Sequence, residues 1–272
     1  MSVLKIKVIG SGGIGTALLP TLSRLVNFGS VEYDFDGAEV DVIDGDIFEE
    51  SNRPRQQFRD RGNKADTTVK PLEDEFPNVE FRSRPVYITE GNIELLIKEG
   101  DLVFLCVDNH ATRLLLSKHC EKLENVTLLS GGNELVDGNV QVFRRIDGEN
   151  YTMSLTELHP EILEPDDENP GDKEEEKEEG CIEMVESAPQ LLVTNFMVAA
   201  LMLEAFHHYL MDTLDYDEMF FDMKTKKFAC RHASHDPVKA AKEAALKKLR
   251  MMAPVKDETE TETETETEEV SA

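Results

Sequence analysis

The feature that most constrains this chain is a glycine run near its start, Gly10-Ser11-Gly12-Gly13-Ile14-Gly15, set between two apolar segments. Leu4 to Ile9 reads as a buried strand, and Ile14 to about Val26 carries apolar residues at helical spacing. A strand that turns through glycines into a helix brings backbone N–H groups to the helix start, where the dipole favours a phosphate. The spacing G-x-G-G-x-G is close to the dinucleotide-binding fingerprint. A second strand, Ala38 to Ile43, ends on Asp44, where such folds hold a ribose hydroxyl. The loop alone leaves NAD, FAD and ATP open, and an unliganded tight turn is the plainer alternative.

Strand and helix patterns keep alternating downstream. Lys64 to Glu75 is helical in pattern but interrupted by Pro71, and Val79 to Tyr87 reads as strand. Ile93 to Lys98 reads as a short helix, Asp101 to Val107 as a compact apolar strand and Asn109 to Leu123 as a helix. Val126 to Leu129 and Asn139 to Arg145 are further strands. This order predicts an α/β fold, a Rossmann-like and mostly parallel sheet flanked by helices. Residues 161–180 break the pattern. They are acidic, hold Pro165 and Pro170, and are expected to form a mobile acidic crossover loop. A long apolar helix from Ala188 to Leu210 follows. A hairpin of Met219 to Asp222 with Lys227 to Cys230 comes next, then a basic helix from Pro237 to Met252. One domain over 1–252 is therefore expected, with a disordered acidic Thr/Glu-rich tail over 253–272.

The net charge of −27 is concentrated in the crossover segment and the tail. That balance is unsuited to non-specific nucleic-acid binding, which needs Lys and Arg against phosphate, so no nucleic acid is expected as a partner. No apolar run approaches the roughly 18 residues of a membrane helix, and the first residues lack a signal-peptide apolar region. A cytoplasmic protein with no membrane partner is the expectation. The four cysteines, Cys106, Cys120, Cys181 and Cys230, include no CxxC pair, which argues against a disulfide framework or a zinc ribbon.

A second constellation separates the nucleotides. Asp44-Gly45-Asp46 is followed by Ser51-Asn52-Arg53-Pro54-Arg55-Gln56-Gln57, then by Gly62-Asn63-Lys64-Ala65. Cations grouped beyond the second strand suit attack on a phosphate, whose transition state gathers negative charge. Cys106-Val107-Asp108-Asn109-His110-Ala111-Thr112-Arg113 supplies a carboxylate, Asp108, just past a strand's carboxyl end. In an open α/β sheet that is the ligand crevice, and a carboxylate there suits magnesium. Read singly, Arg55 and Lys64 are ordinary surface charges and Asp108 is a helix cap. Their order relative to the glycine loop is what ties them together.

With these motifs in sequence over residues 3–113, the chain resembles the ThiF/MoeB/HesA family, the adenylating domain shared with ubiquitin-activating enzymes. The resemblance implies that Gly10, Gly12, Gly13 and Gly15 cradle ATP and that Asp44 binds its ribose. It implies that Asn52, Arg55, Gln56 and Lys64 contact the nucleotide and that Asp108 holds Mg2+. It further implies adenylation of the C-terminal carboxylate of a small ubiquitin-like or sulfur-carrier protein, or a peptide, with release of pyrophosphate by a homodimer.

Three departures stand beside it. The first strand begins at about Val3, so the arginine that many members carry on a preceding helix is absent, with Arg53, Arg59 or Arg61 as substitutes. The family's CxxC pairs are missing. Cys230, His232 and His235 lack a fourth ligand, so no zinc is expected and Cys230 reads as a half-buried structural cysteine. Cys181 follows the acidic segment, where some members carry an acyl- or sulfur-accepting thiol, although Glu178, Glu179 and Glu183 disfavour its thiolate. Two other functions stay open: an NAD-dependent oxidoreductase, which leaves Arg55, Lys64 and Asp108 unexplained, and a non-catalytic binding module on the same fold.

Overall fold

The computed structural model describes residues 3–54, 56–58, 60–172 and 190–233. The predicted helix 237–252, the tail, Arg55, Arg59 and Cys181 lie outside the described residues. The strands are β1 (Val3–Ile9), β2 (Gly37–Ile43), β3 (Val79–Arg84), β4 (Leu102–Leu105), β5 (Val126–Asn133), β6 (Asp137–Ile146), β7 (Glu149–Asn150), β8 (Tyr216–Asp222) and β9 (Lys227–His232). The α-helices are α1 (Gly13–Phe28), α2 (Lys64–Glu75), α3 (Ile93–Leu96), α4 (His110–Cys120), α5 (Leu155–Leu158) and α6 (Gln190–Leu210).

The strands form one sheet in the order β3-β2-β1-β4-β5-β6-β8-β9, with β7 beside β6. From β3 to β5 every pairing is parallel, because a crossover helix separates each strand from the next. Beyond β5 the sheet turns antiparallel, β6 returning from β5 by a tight turn and β8 and β9 adding as a hairpin. The predicted Rossmann-like sheet is thus present, with an antiparallel extension.

Each face of the sheet buries its own core. Ile6, Val8, Val40 and Phe104 pack under α1, α2 and α6 with Leu18, Leu22, Val69, Met202 and Phe206. Ile9, Val103, Leu105 and Leu128 face α3, α4 and α5 with Ile97, Leu116, Cys120 and Leu155. The period-2 alternation of the strands is what sends successive residues to opposite layers. Helix α2 runs unbroken through Pro71, contrary to the sequence expectation. Its start is fixed by Asn63, whose side chain accepts from the Ala65 and Asp66 N–H groups, and Val69 and Leu72 anchor it from within. Among the described residues no helix is long and apolar enough to cross a membrane.

Strand β1 continues to β2 on one side of itself, and the chain later returns to place β4 on the other. The carboxyl ends of β1 and β4 therefore flank the point where strand order reverses, which is where ligands bind in open α/β sheets.

Candidate active site

A cavity of about 1020 Å³ opens at that reversal. Its floor is the glycine loop after β1, the Asp44–Asp46 turn after β2 and the Cys106–Asn109 turn after β4.

The four glycines divide the work. Gly10 adopts φ +88°, in the left-handed region, and a Cβ there would sit 2.9 Å from the Cys106 carbonyl oxygen, so β1 and β4 meet closely at this residue. A Cβ on Gly15 would lie 2.1 Å from the Gly10 carbonyl oxygen, so this glycine lets α1 start against the turn; Gly15 does not line the cavity. Gly13 makes room for the buried Asn195 side chain of α6, 2.2 Å from the position its Cβ would take. Gly12 alone faces open space, its nearest neighbour being Gln56 Nε2 at 3.7 Å. Gly12 is the cradle a ligand would enter.

Asp44 is tied to this loop. Its Oδ2 accepts the Ser11 backbone N–H at 2.6 Å and the Ser11 hydroxyl at 3.1 Å, and its Oδ1 accepts the Asp46 N–H at 2.9 Å. Burial raises its pKa, and the Ser11 and Asp46 N–H groups oppose the rise. Asn63 stitches the next turn down by donating to the Asp44 and Asp46 carbonyls. That places Lys64 at the cavity with its ammonium 2.7 Å from Asp46 Oδ2. Tyr87 donates its hydroxyl to Asp46 Oδ1. Burial raises the Asp46 pKa, but the Lys64 and Tyr87 hydrogen bonds outweigh it and hold that carboxyl below its ordinary value. Burial and Asp46 together push the Tyr87 phenol up.

Gln56 lines the cavity beside Gly12, and its buried Oε1 has no hydrogen-bond partner. Asn52 sits apart from the cavity. Its side-chain oxygen accepts from the Glu49 N–H and closes the short 3-10 turn Glu50–Asn52. Arg53 and Arg61 both pair with Glu50 on the surface.

Asp108 lines the cavity and makes no hydrogen bond or ion pair among the described residues. Asn109 caps α4 through the Thr112 N–H at 2.8 Å. Arg113, one turn further, is buried. It donates to the Ser130 hydroxyl at 2.7 Å and to the Val107 and Gly131 carbonyls at 2.6 and 2.8 Å, bracing the ends of β4 and β5. Desolvation holds its pKa below the usual guanidinium value.

Over 161–172 the acidic segment is structured rather than a featureless loop. Ile162 inserts into the core beside α4 and α5, and Asp167 accepts the His110 and Ala111 N–H groups, both at 2.8 Å. Gly171 packs on Thr89 and Tyr87. Apolar anchoring through Ile162 and the α4 N-terminus hold this part of the acidic segment to the fold. This stretch roofs the cavity and carries His159 at its start. His159 Nε2 meets Glu218 Oε1 and its Nδ1 meets Glu161 Oε1, each at 2.8 Å. The Glu218 hydrogen bond is the chief cause raising the His159 pKa.

Cys106 and Cys120 are core thiols, as expected, and burial pushes Cys106 up to about 12. Cys230 is exposed on the edge strand β9, not half-buried, because no element packs over that strand among the described residues. Among those residues no three His, Cys, Asp or Glu side chains gather as a metal cluster.

Comparison with known proteins shows the family and the fold. The ThiF family model matches residues 1–248. The chain is 28% identical over 159 residues to "Adenylyltransferase and sulfurtransferase UBA4" of Meyerozyma guilliermondii, covering 55% of this chain and 35% of that protein. It is 28% identical over 151 residues to "Ubiquitin-like modifier-activating enzyme 5" of Oryza sativa subsp. japonica, covering 50% and 34%. The matches thus span about a third of these relatives' length. Among solved structures, E. coli MccB with ATP superposes with a TM-score of 0.60 at 16% identity, covering 86% of this chain and 65% of that one.

Proposed function

The chain belongs to the ThiF family, and on that premise we propose that it is an ATP-dependent adenylyltransferase acting on a C-terminal carboxylate. The carboxylate would belong to a small ubiquitin-like or sulfur-carrier protein, or to a peptide. Its oxygen attacks the α-phosphorus of ATP, the bond to the bridging oxygen breaks, and pyrophosphate leaves with the acyl-adenylate formed. One observation carries the reading. A single cavity joins an open glycine, Gly12, to a buried ammonium, Lys64, and to a carboxylate, Asp108, that has no hydrogen-bond or ion-pair partner among the described residues. A hydride-transfer site has no use for the last two.

Each residue then has a task. Gly12 admits the phosphates to the start of α1, and the Gln56 side-chain nitrogen beside Gly12 can donate to them. Asp44 fixes the glycine loop through Ser11 and keeps lone pairs for a ribose hydroxyl. Lys64, oriented by Asp46, places positive charge where negative charge grows; Arg55 adds to it by the family resemblance. Asp108 fits Mg2+, which is commonly held by one or two carboxylates plus phosphate oxygens and water. When bound, that ion neutralises phosphate charge. Whether the acyl group passes next to Cys181, to another thiol or to an amine rests on that cysteine's chemistry. The adenylating unit is taken as 1–252 with a Thr/Glu tail over 253–272, working as a cytoplasmic homodimer.

The test is pyrophosphate exchange into ATP, driven by proteins or peptides with a free C-terminus. Thermal shift with Mg-ATP and with NAD should accompany it, on wild type and Asp108→Ala. Saturation at 100 times Kd adds about 2.7 kcal/mol of stability. A Mg-ATP shift lost in Asp108→Ala, together with exchange, supports the reading. A shift with NAD alone overturns it in favour of an oxidoreductase, and partner binding without nucleotide binding overturns it in favour of a binding module.

A further inference from the structure

The cavity extends well past the glycine loop, across the C-terminal half of β5 and over β6 and β8. There the sheet presents a polar row. Ser130, Gln141 and Glu218 are register partners on adjacent strands, so their side chains share one face. Gln141 is 3% exposed, lines the cavity, and its Oε1 has no hydrogen-bond partner. Glu218 is 7% exposed. Its Oε1 accepts from Asn139 and meets His159, while its Oε2 has no hydrogen-bond partner among the described residues. One buried acceptor, Gln141 Oε1, thus lacks a donor, and it lies one strand from the Glu218 carboxylate. A buried acceptor left unsatisfied is costly, so it marks either strain or a missing ligand.

The cavity lining around Gln141 and Glu218 is mainly acidic, while Arg231 stands opposite Glu218 on β9. Asp137, Glu161 and Asp222 also line this end of the cavity. The only Lys or Arg among the described lining residues are Lys64 and Arg113. Lys64 pairs with Asp46, and Arg113 has donors committed to Ser130, Val107 and Gly131. His159 is shared between two glutamates. A substrate whose C-terminal carboxylate sits at the Lys64 end must lay its preceding residues over this acidic floor.

We propose that Gln141 and Glu218 form a specificity subsite that reads a cationic, hydrogen-bond-donating side chain, of the lysine or arginine class, a few residues before the substrate's C-terminal carboxylate. This rests on the adenylation reading for where the carboxylate lies. Glu218 supplies the charge partner, and the Gln141 carbonyl oxygen takes a second N–H. His159 and Asn139 hold Glu218 in place and are positioning residues. Neutral isosteres leave the Gln141 acceptor unpaired, and acidic side chains meet like charge.

The probes are fluorescein-labelled hexapeptides ending in Gly-Gly with a free carboxylate, carrying one Lys, norleucine or Glu moved through the four preceding positions. Binding is read by anisotropy in the presence of a non-hydrolysable ATP analogue, and Mg-ATP thermal shift is read on the same samples. At one position Lys should bind tighter than norleucine by about tenfold or more, with Glu weaker still. Glu218→Gln should collapse that ratio. Because Glu218 is buried, Gln141→Met is the second variant. It removes an orphaned polar atom at similar volume, so it should keep or raise the Tm while reducing the Lys preference. Equal binding of the Lys and norleucine peptides at every position, or no peptide binding at all, overturns the subsite even when Mg-ATP stabilises the protein. A Lys preference that survives in both variants overturns it as well. Loss of the Mg-ATP shift in wild type strikes the adenylation reading instead, whatever the peptides do.

Discussion

The Asp44 carboxylate accepts the backbone N–H of Ser11 at 2.6 Å, so the end of the second strand holds the glycine loop that leaves the first. The acid that dinucleotide folds present to a ribose here also shapes the glycine loop. The bond predicts an asymmetry. Asp44→Asn turns one acceptor into a donor, and an amide NH2 set against the Ser11 N–H leaves a buried group unpaired, at a cost of about 1–3 kcal/mol. Ser11→Ala removes only the longer hydroxyl bond of 3.1 Å and should cost about 1 kcal/mol or less. Urea melts of the two variants measure the difference, and equal losses would refute the tether.

The glycines make a second contrast. Gly12 has φ −81° and ψ −137°, between the helical and extended regions, and its added Cβ meets nothing nearer than 3.7 Å. Gly12→Ala should cost about 1–3 kcal/mol in backbone strain and lose most of its Mg-ATP thermal shift, because the methyl enters the ligand's space. At Gly15 the added Cβ would press the Gly10 backbone oxygen, and backbone cannot rotate away. Gly15→Ala should therefore destabilise by about 3 kcal/mol or more, with the loop displaced. A Gly12→Ala protein that still binds Mg-ATP as wild type does would move the phosphate cradle elsewhere.

What could be read in the chain follows the range of the interactions. Strand, glycine turn and helix are local patterns, and Asp44, Lys64 and Asp108 each stand beside an element end, so order along the chain located them. Asn52 belongs to a motif but closes its own 3-10 turn, a matter of one hydrogen bond that spacing cannot decide. Gly13 lines the cavity and also packs against a distant side chain. Its partner, Asn195, is one polar residue in an apolar helix far along the chain. His159 and Glu218 meet only because β8 pairs with β6, and the roof formed by 161–172 depends on Ile162 and Asp167 finding α4. Non-local pairing of this kind has no signature in composition or period.

The His159 cluster gives stability a pH dependence whose sign is fixed. Its partner Glu218 raises the folded-state pKa of His159 above the ordinary 6.5. A histidine so shifted stabilises fully below its unfolded value and loses that contribution as pH rises through the folded one. Glu218 is held below its ordinary 4.5, burial being outweighed by the His159 and Asn139 hydrogen bonds. Its contribution is present above the unfolded value and fades as pH falls through the folded one. Stability should therefore decline on the alkaline side, starting near 6.5 and ending above it. His159→Gln should flatten that decline and also soften the acid-side loss, because it removes the chief hydrogen bond holding Glu218 low. Denaturation midpoints collected from pH 5 to 9 test this, and an unchanged alkaline slope in the variant would assign the decline to other groups.

Lys64 is where stability and chemistry separate. Its side chain is 10% exposed and Asp46 is 47% exposed, so half of the ion pair faces water and is screened. Lys64→Met keeps the apolar stem in place and removes only the charge, so the folded state should change by about 1 kcal/mol or less. The reaction is affected differently. On the adenylation reading, negative charge on the transferring phosphate grows between ground state and transition state, and a fixed cation beside it acts mostly on the increment. Pyrophosphate exchange should fall about 10²- to 10³-fold, carried mainly by kcat, with a much smaller rise in the KM for ATP. Asp46→Asn is the control. It retains a side-chain oxygen near the ammonium but withdraws the charge that orients it, so its exchange rate should fall between wild type and Lys64→Met. Exchange at the wild-type rate in Lys64→Met would leave this lysine a structural partner of Asp46 and move the charge stabilisation to Arg55 and the metal.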